Sequence, residues 1–212
     1  MEGSLARFRY VGDILLKLQP GMSNELDIQR TGKTLVVRFT RPEIRNPLSV
    51  TVLDQLEIIL DEMGRDFETV IFTGSDDVFA SGADLREIAA VTGATAKEFA
   101  LRGQRLMAKI DTLWQTTVAA INGYCFGGAL DLALACERRI ASPNAKFAHP
   151  GTGLGIVTGW GGTQRLPRLV GQANSLEMFF TATPIDAGRA FNIGLIDEIA
   201  EDPLARARQT VR

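Results

Sequence analysis

The chain has 212 residues, 45% of them hydrophobic and 23% charged, and a chain of this size buries roughly 70% of its unfolded surface, enough for one full core without staples. Twenty-three basic against 25 acidic residues give a net charge of −2, which argues against electrostatic capture of nucleic acid or of an anionic membrane surface. Two cysteines, Cys125 and Cys136, and a single histidine fit neither a zinc spacing nor a disulfide framework, so no metal site and a reducing, cytoplasmic setting are expected.

Residues 1–24 form a weakly patterned arm with one apolar run, Ile14 to Leu18, and a turn signal at Pro20-Gly21-Met22-Ser23. The arm has neither the apolar run nor the small-residue cleavage site of a leader, and no stretch approaches the ~20 apolar residues of a membrane span. From Leu26 to Thr40 two β-rich runs flank Thr31-Gly32-Lys33, which reads as a hairpin ended by Arg41-Pro42. Ser49 is placed to cap a helix in which Val52, Leu53, Leu56, Ile59, Leu60 and Met63 recur at helical spacing until Gly64. Thr69–Thr73 is a short buried strand, Gly74 to Gly82 a loop, and a helix starts near Asp84. A longer helix carries Phe99, Leu106, Ile110 and Leu113 on one face. Thr117 to Ile121 is another buried strand, and a glycine turn from Asn122 leads into a helix at Ala129 to Cys136. Strands are expected at Arg138–Ala141 and from Ala145 to Ala148, and an apolar helix at Gln172 to Thr181. Strand, turn, helix, strand is the order of a parallel sheet flanked by helices, and no linker divides residues 25–212, which count as one domain.

Two turns attract chemistry. In Asn122 to Asp131 (NGYCFGGALD) a buried strand runs into a helix whose first residues, Gly127-Gly128, lack side chains. Amides there have no intrahelical partner and sit at the positive end of the helix dipole. Phe79-Ala-Ser-Gly-Ala-Asp84 repeats the pattern, and two such turns at one end of a sheet would converge two amides on one oxygen, as an enolate or tetrahedral oxyanion requires. The plainer alternative is that the glycines only allow close packing.

Four segments in order, Arg41 to Leu48 (RPEIRNPL), Val78 to Asp84 (VFASGAD), Ile121 to Ala133 (INGYCFGGALDLA) and Gly155 to Gly171, followed by Gly194-Leu-Ile-Asp197, resemble the crotonase, or enoyl-CoA hydratase/isomerase, superfamily over about residues 26 to 200. The resemblance implies an α/β fold, a spiral of ββα units with two roughly perpendicular sheets, acting on an acyl-CoA thioester. It implies that the amides of Ala83 and Gly128 grip the thioester oxygen, that Ala83, Asp84, Leu85 and Arg86 line the coenzyme A, and that Arg45 lies near its phosphates. Coenzyme A enters as part of the substrate, no tightly bound cofactor is implied, and the family's threefold habit implies a homotrimer or dimer of trimers.

The sequence departs from the family pattern in two places. Of the two carboxylates that hold water in hydratases, the first position is Asp131 rather than glutamate, and the second is Gly151 in His149-Pro-Gly151; the acid used by the family's dienoyl-CoA isomerases aligns with Gly159, and it too is missing. His149, Thr152, Thr158 and Trp160 remain near the expected cavity, with His149 a candidate acid or base, Trp160 a pocket wall and Arg165 an ion-pair partner within the fold. Secondly, the chain continues only fifteen residues past Asp197, so shortened C-terminal helices are expected. The leading expectation is hydration or isomerisation by enolate chemistry with Asp131 as acid/base. A catalytically weak acyl-CoA-binding protein and a CoA-ester decarboxylase or hydrolase are the alternatives. Glutamate restored at Gly151 is expected to raise hydration.

Overall fold

The computed structural model describes residues 7–11, 14–18 and 25–210, with side chains from residue 25 onward. Strands β1 (Arg7–Val11) and β2 (Ile14–Leu18) pair antiparallel; the turn expected at residues 20–23 lies outside the described residues. β3 (Leu26–Thr31) and β4 (Thr34–Phe39) form the expected hairpin about Gly32. After a short 3-10 turn at Pro42–Ile44 come β5 (Pro47–Leu48) and α1 (Val50–Glu62), the latter capped by Ser49 Oγ, which accepts from the Val52 amide at 3.2 Å.

The remaining chain is a repeated strand, strand, helix unit. β6 (Thr69–Thr73) is followed by β7 (Val78–Ala80), β8 (Gly82–Ala83) and α2 (Leu85–Ala90). After α3 (Ala96–Asp111), β9 (Thr116–Ile121) leads to β10 (Tyr124–Phe126) and α4 (Gly128–Ala135). β11 (Arg138–Ala141) leads to β12 (Lys146–Ala148) and a 3-10 turn at Pro150–Leu154. In each unit the first strand joins a six-stranded sheet, ordered β11-β9-β6-β4-β3 from its second strand inward, and the second joins a smaller one, β12-β10-β7. This alternation is the expected spiral. The chain then runs through α5 (Gly162–Thr181), β13 (Ile185–Asp186), α6 (Ala187–Asn192), β14 (Glu198–Ile199) and α7 (Pro203–Gln209). β13 closes one edge of the small sheet antiparallel to β12, and β14 pairs parallel to β11 at the edge of the large one.

The inner strands are apolar on both faces because both faces are covered. Leu35, Val37, Val70, Phe72, Ala119 and Ile121 join the main core with α1, α3 and α4, while Val36, Ile71, Val118 and Ile140 point the other way, under Ala207 and Leu204 of α7. Four elements correct the sequence reading. The segments read as a loop (74–82) and a turn (122–128) contain β7, β10 and the start of β8, strands of two or three residues, too short for period-2 alternation to register. The helix expected at Gln172 is the second half of α5, which is broken at Gly171 (φ +80°).

Candidate active site

The two glycine turns meet. Gly82 adopts φ +89°, and a Cβ built on it would sit 2.6 Å from the Gly128 nitrogen and 2.7 Å from the Phe126 carbonyl oxygen, so only glycine fits. A Cβ on Gly128 would in turn stand 3.4 Å from the Ala83 nitrogen and collide with the Trp160 ring. Ala83 ends a strand paired with β5, Gly128 opens α4, and their amide nitrogens are thereby brought to one spot.

That spot opens into a cavity of about 420 Å³. Ala83, Leu85, Gly128, His149, Gly151, Thr158 and Trp160 face it, and Ile88, Val91, Phe99, Ile156 and Phe179 make its walls apolar. Around it Leu85, Leu154 and Val157 are exposed. The Trp160 indole is buried between two helices: a Cβ on Gly103 of α3 would strike it from one side and a Cβ on Gly128 from the other. Phe99, its ring 6.0 Å from that of Trp160, extends the wall.

Asp131 is completely buried, and it does not line the cavity. One helical turn beyond Gly128, α4 carries its carboxylate toward the start of α5 rather than into the cavity. Thr158 Oγ1 donates to Oδ2, and Gly162 leaves room, since a side chain there would collide with Oδ1. Burial pushes the carboxyl up to about 7, against the opposing effect of the Thr158 hydrogen bond and the backbone of Trp160 and Gly162. His149 Nε2 stands 3.7 Å from Oδ1, too far for a hydrogen bond, and neither ring nitrogen nor Oδ1 has a hydrogen-bond partner among the described residues. Burial lowers His149 to about 4, so the imidazole is neutral; its ring packs on Phe179 with centroids 5.0 Å apart.

The remaining candidates are placed elsewhere. Asp84 caps α2, accepting from the Arg86 amide at 2.8 Å, and its pair with the Arg86 guanidinium holds the carboxyl below its usual range. Arg86 is itself largely exposed. Arg45 is exposed on a left-handed residue (φ 66°), its guanidinium 5.8 Å from the Tyr124 ring centroid. Arg165 pairs with Asp111 at 3.1 Å, as its reading as an internal partner expects. Both cysteines are buried, and burial raises both thiols, Cys136 to about 12, which leaves them unsuited to nucleophilic work. Sequence reasoning passed over Phe99, Ile88, Val91 and Phe179 because apolar residues of α2, α3 and α5 look alike whether they fill a core or line a cavity. Gly103 was the available signal: a glycine inside a helix implies close approach of another group.

At Gly151 a Cβ would lie 2.8 Å from the Ile156 carbonyl oxygen. The 3-10 turn at 150–154 ends in left-handed Gly155 and folds back so that the Ile156 amide donates to the Gly151 carbonyl at 2.9 Å. The position aligned with a second acid is therefore closed by backbone as well as lacking a carboxylate, and no Asp or Glu faces the cavity among the described residues.

The profile of the enoyl-CoA hydratase/isomerase family matches residues 29–210. A short-chain-enoyl-CoA hydratase of Clostridium acetobutylicum is 36% identical over 181 residues, covering 84% of this chain and 69% of the relative. A crotonyl-CoA hydratase of Syntrophomonas wolfei is 37% identical over 177 residues, covering 82% and 68%. Among solved structures, an enoyl-CoA hydratase from Bacillus anthracis superposes with a TM-score of 0.81 at 32% identity, covering 88% of this chain and 73% of that one.

Proposed function

This chain belongs to the enoyl-CoA hydratase/isomerase family, and from that premise we propose that it moves or hydrates the double bond of an enoyl-CoA through an enolate held between the amides of Ala83 and Gly128. The observation that carries this reading is the contact between the two glycine turns at the floor of an apolar cavity. Donors fixed where negative charge develops lower the barrier most when water is excluded. The apolar walls suit an acyl chain, with Leu85 at the mouth. Arg45 and Arg86 are candidate partners for the phosphates of coenzyme A, and Arg86 must leave Asp84 to meet one. Coenzyme A arrives with the substrate, and the chemistry asks for no resident cofactor.

Asp131 is the acid/base group, and neutral His149 is a polar side chain able to hold a water or a substrate oxygen. With Asp131 behind the cavity wall and the second acid position at Gly151 closed off, isomerisation is favoured over hydration. Moving a proton between two carbons needs a single acid/base group, whereas adding water needs one group for the water and another for the carbon. Incubation with crotonyl-CoA and a 3-enoyl-CoA, followed by mass spectrometry and product chromatography, tests the reading. Turnover of the 3-enoyl ester faster than hydration of crotonyl-CoA is expected; failure of either ester to bind refutes the acyl-CoA site. Binding without turnover would instead favour an acyl-CoA-binding protein, release of free coenzyme A a hydrolase, and loss of CO2 from a carboxyacyl-CoA ester run beside them a decarboxylase.

A homotrimeric assembly belongs to the same proposal. Phe180, Leu176 and Phe191 are exposed near one another in sequence on α5 and α6, and apolar surface of this kind favours association.

A further inference from the structure

Asp131 has the chemistry of an acid/base group but no face on the cavity. Among the described residues, two side chains touch or approach its carboxylate and also face the cavity: Thr158, whose hydroxyl donates to Oδ2, and His149, whose Nε2 stops 3.7 Å from Oδ1 without a bond. Only the first is a connected path. We propose that Thr158 is a catalytic residue whose hydroxyl carries the proton between the acyl-CoA in the cavity and the Asp131 carboxylate behind the cavity wall. The inference rests on the acyl-CoA reading above and adds to it the route of the proton.

The hydroxyl suits the task because it has one hydrogen and two lone pairs. When a C–H bond of the acyl chain breaks, its electron pair moves into the thioester to form the enolate. The released proton forms a new O–H bond on Thr158 as the old O–H bond gives its proton to Asp131 Oδ2. The threonine ends neutral, as it began, and the negative charge has moved from Asp131 to the enolate oxygen. Reversing the relay at the γ-carbon of the dienolate forms a new C–H bond there, moves the double bond into conjugation with the thioester and returns the negative charge to Asp131. Gly162 keeps the path open, since a Cβ there would collide with Asp131 Oδ1 and lie 2.9 Å from Thr158 Cγ2. Asp131 acts through Thr158 and is, in this scheme, the positioning and storing group.

Four variants of the full chain test the relay: Thr158→Val, Thr158→Ser, Asp131→Asn and the Val/Asn double. Turnover of the 3-enoyl ester and exchange of the α-protons of butyryl-CoA in deuterated buffer are both followed, alongside butyryl-CoA affinity. Thr158→Val should lower kcat and exchange by about 100-fold or more, the scale of acid/base catalysis, with KM changed less than about threefold. Thr158→Ser, which keeps the hydroxyl, should recover most of both rates. The double variant should be no slower than the Asp131→Asn single, because the two groups act as a unit. If Thr158→Val fails to fold, Thr158→Ala gives the same readings. The relay is overturned if either hydroxyl-free variant keeps its exchange rate while Asp131→Asn loses it, or if its effect falls on KM alone. It is also overturned if His149→Phe abolishes an exchange that Thr158→Val retains. A wild-type protein that binds butyryl-CoA yet neither exchanges its protons nor turns over the 3-enoyl ester refutes the relay and leaves the binding site standing; one that binds no acyl-CoA refutes both.

Discussion

Asp131 and His149 are buried side by side with opposite displacements, and stability should register both. Asp131 titrates near 7 when folded and near ~3.9 when unfolded, so the folded protein holds the extra proton between these values. Its contribution is present below about 4 and is lost as pH rises through about 7. His149, at about 4 when folded and ~6.5 when unfolded, does the reverse: its contribution is full above about 6.5 and is lost as pH falls through about 4. In the wild type the two slopes oppose one another across most of the acid range. Asp131→Asn should therefore leave stability rising from about pH 4.5 to 6.5, and His149→Phe should leave it falling over the same range, each on the order of a few kcal/mol. Urea midpoints at three pH values check the signs, and slopes that do not separate would mean that the two groups share one proton. A second prediction concerns Trp160. Gly103→Ala would ordinarily strengthen a helix interior, yet its methyl must displace the indole that also rests on Gly128. A net loss of about 1–3 kcal/mol is expected for such overpacking, with a fall in kcat as the ring moves onto the amide of Gly128. Denaturant titration and steady-state kinetics on the one variant measure both.

The turn from Pro150 to Leu154 decides what the missing acid means. Taken as sequence, Gly151 is a vacancy that glutamate would refill; as folded, its Cβ position lies 2.8 Å from the Ile156 carbonyl oxygen, and that oxygen belongs to backbone. Gly151→Glu must therefore shift the Ile156 segment before any carboxylate enters the cavity. The expected outcome is a protein destabilised by about 1–3 kcal/mol with crotonyl-CoA hydration no faster than wild type, in contrast to the gain that sequence alignment alone suggests. Thermal unfolding and a hydration assay on that variant separate the two cases, and faster hydration would show that the turn adapts. Elsewhere an element is fixed by one side chain. Arg139 on β11 is buried, its Nε and Nη1 donating to the carbonyls of Leu195 and Cys136 at 2.9 and 2.8 Å and its Nη2 3.1 Å from Asp197. These bonds tie the last edge strand, β14, to the sheet.

At the scale of the whole molecule, apolar surface lies bare at the cavity mouth and on α5. Leu85, Leu154 and Val157 are 55% or more exposed around the site, and Phe180 is 75% exposed on the helix that carries Phe179 into the cavity wall. A closed ring of subunits would hide such residues by repeating one heterologous contact. Light scattering at micromolar concentration should give three times the chain mass or six, and Phe180→Asp should shift the population toward smaller species. A monomer at all concentrations would refute the assembly. Since Phe179 and Phe180 are adjacent, loss of the oligomer should also weaken acyl-CoA binding, which titration of the Phe180→Asp protein would register.

The sequence by itself determined the order of the large-sheet strands and of the helices between them, because the buried strands Thr69–Thr73 and Thr116–Ile121 and the capped helix α1 carry their periodicity and end signals locally. It also marked Gly82, Gly127 and Gly128, since backbone that must turn or approach closely leaves glycine as its trace. What it left undecided depends on direction and on partners distant in the chain. Asp131 lies on the expected helix, yet whether its carboxylate enters the cavity or turns to Thr158 depends on where the start of α5 packs, 31 residues later at Gly162. The role of Gly151 likewise depends on a carbonyl that a turn folds back against it. Strand and helix periodicity report which face of an element is buried; which buried group meets which is set by the tertiary packing that joins them.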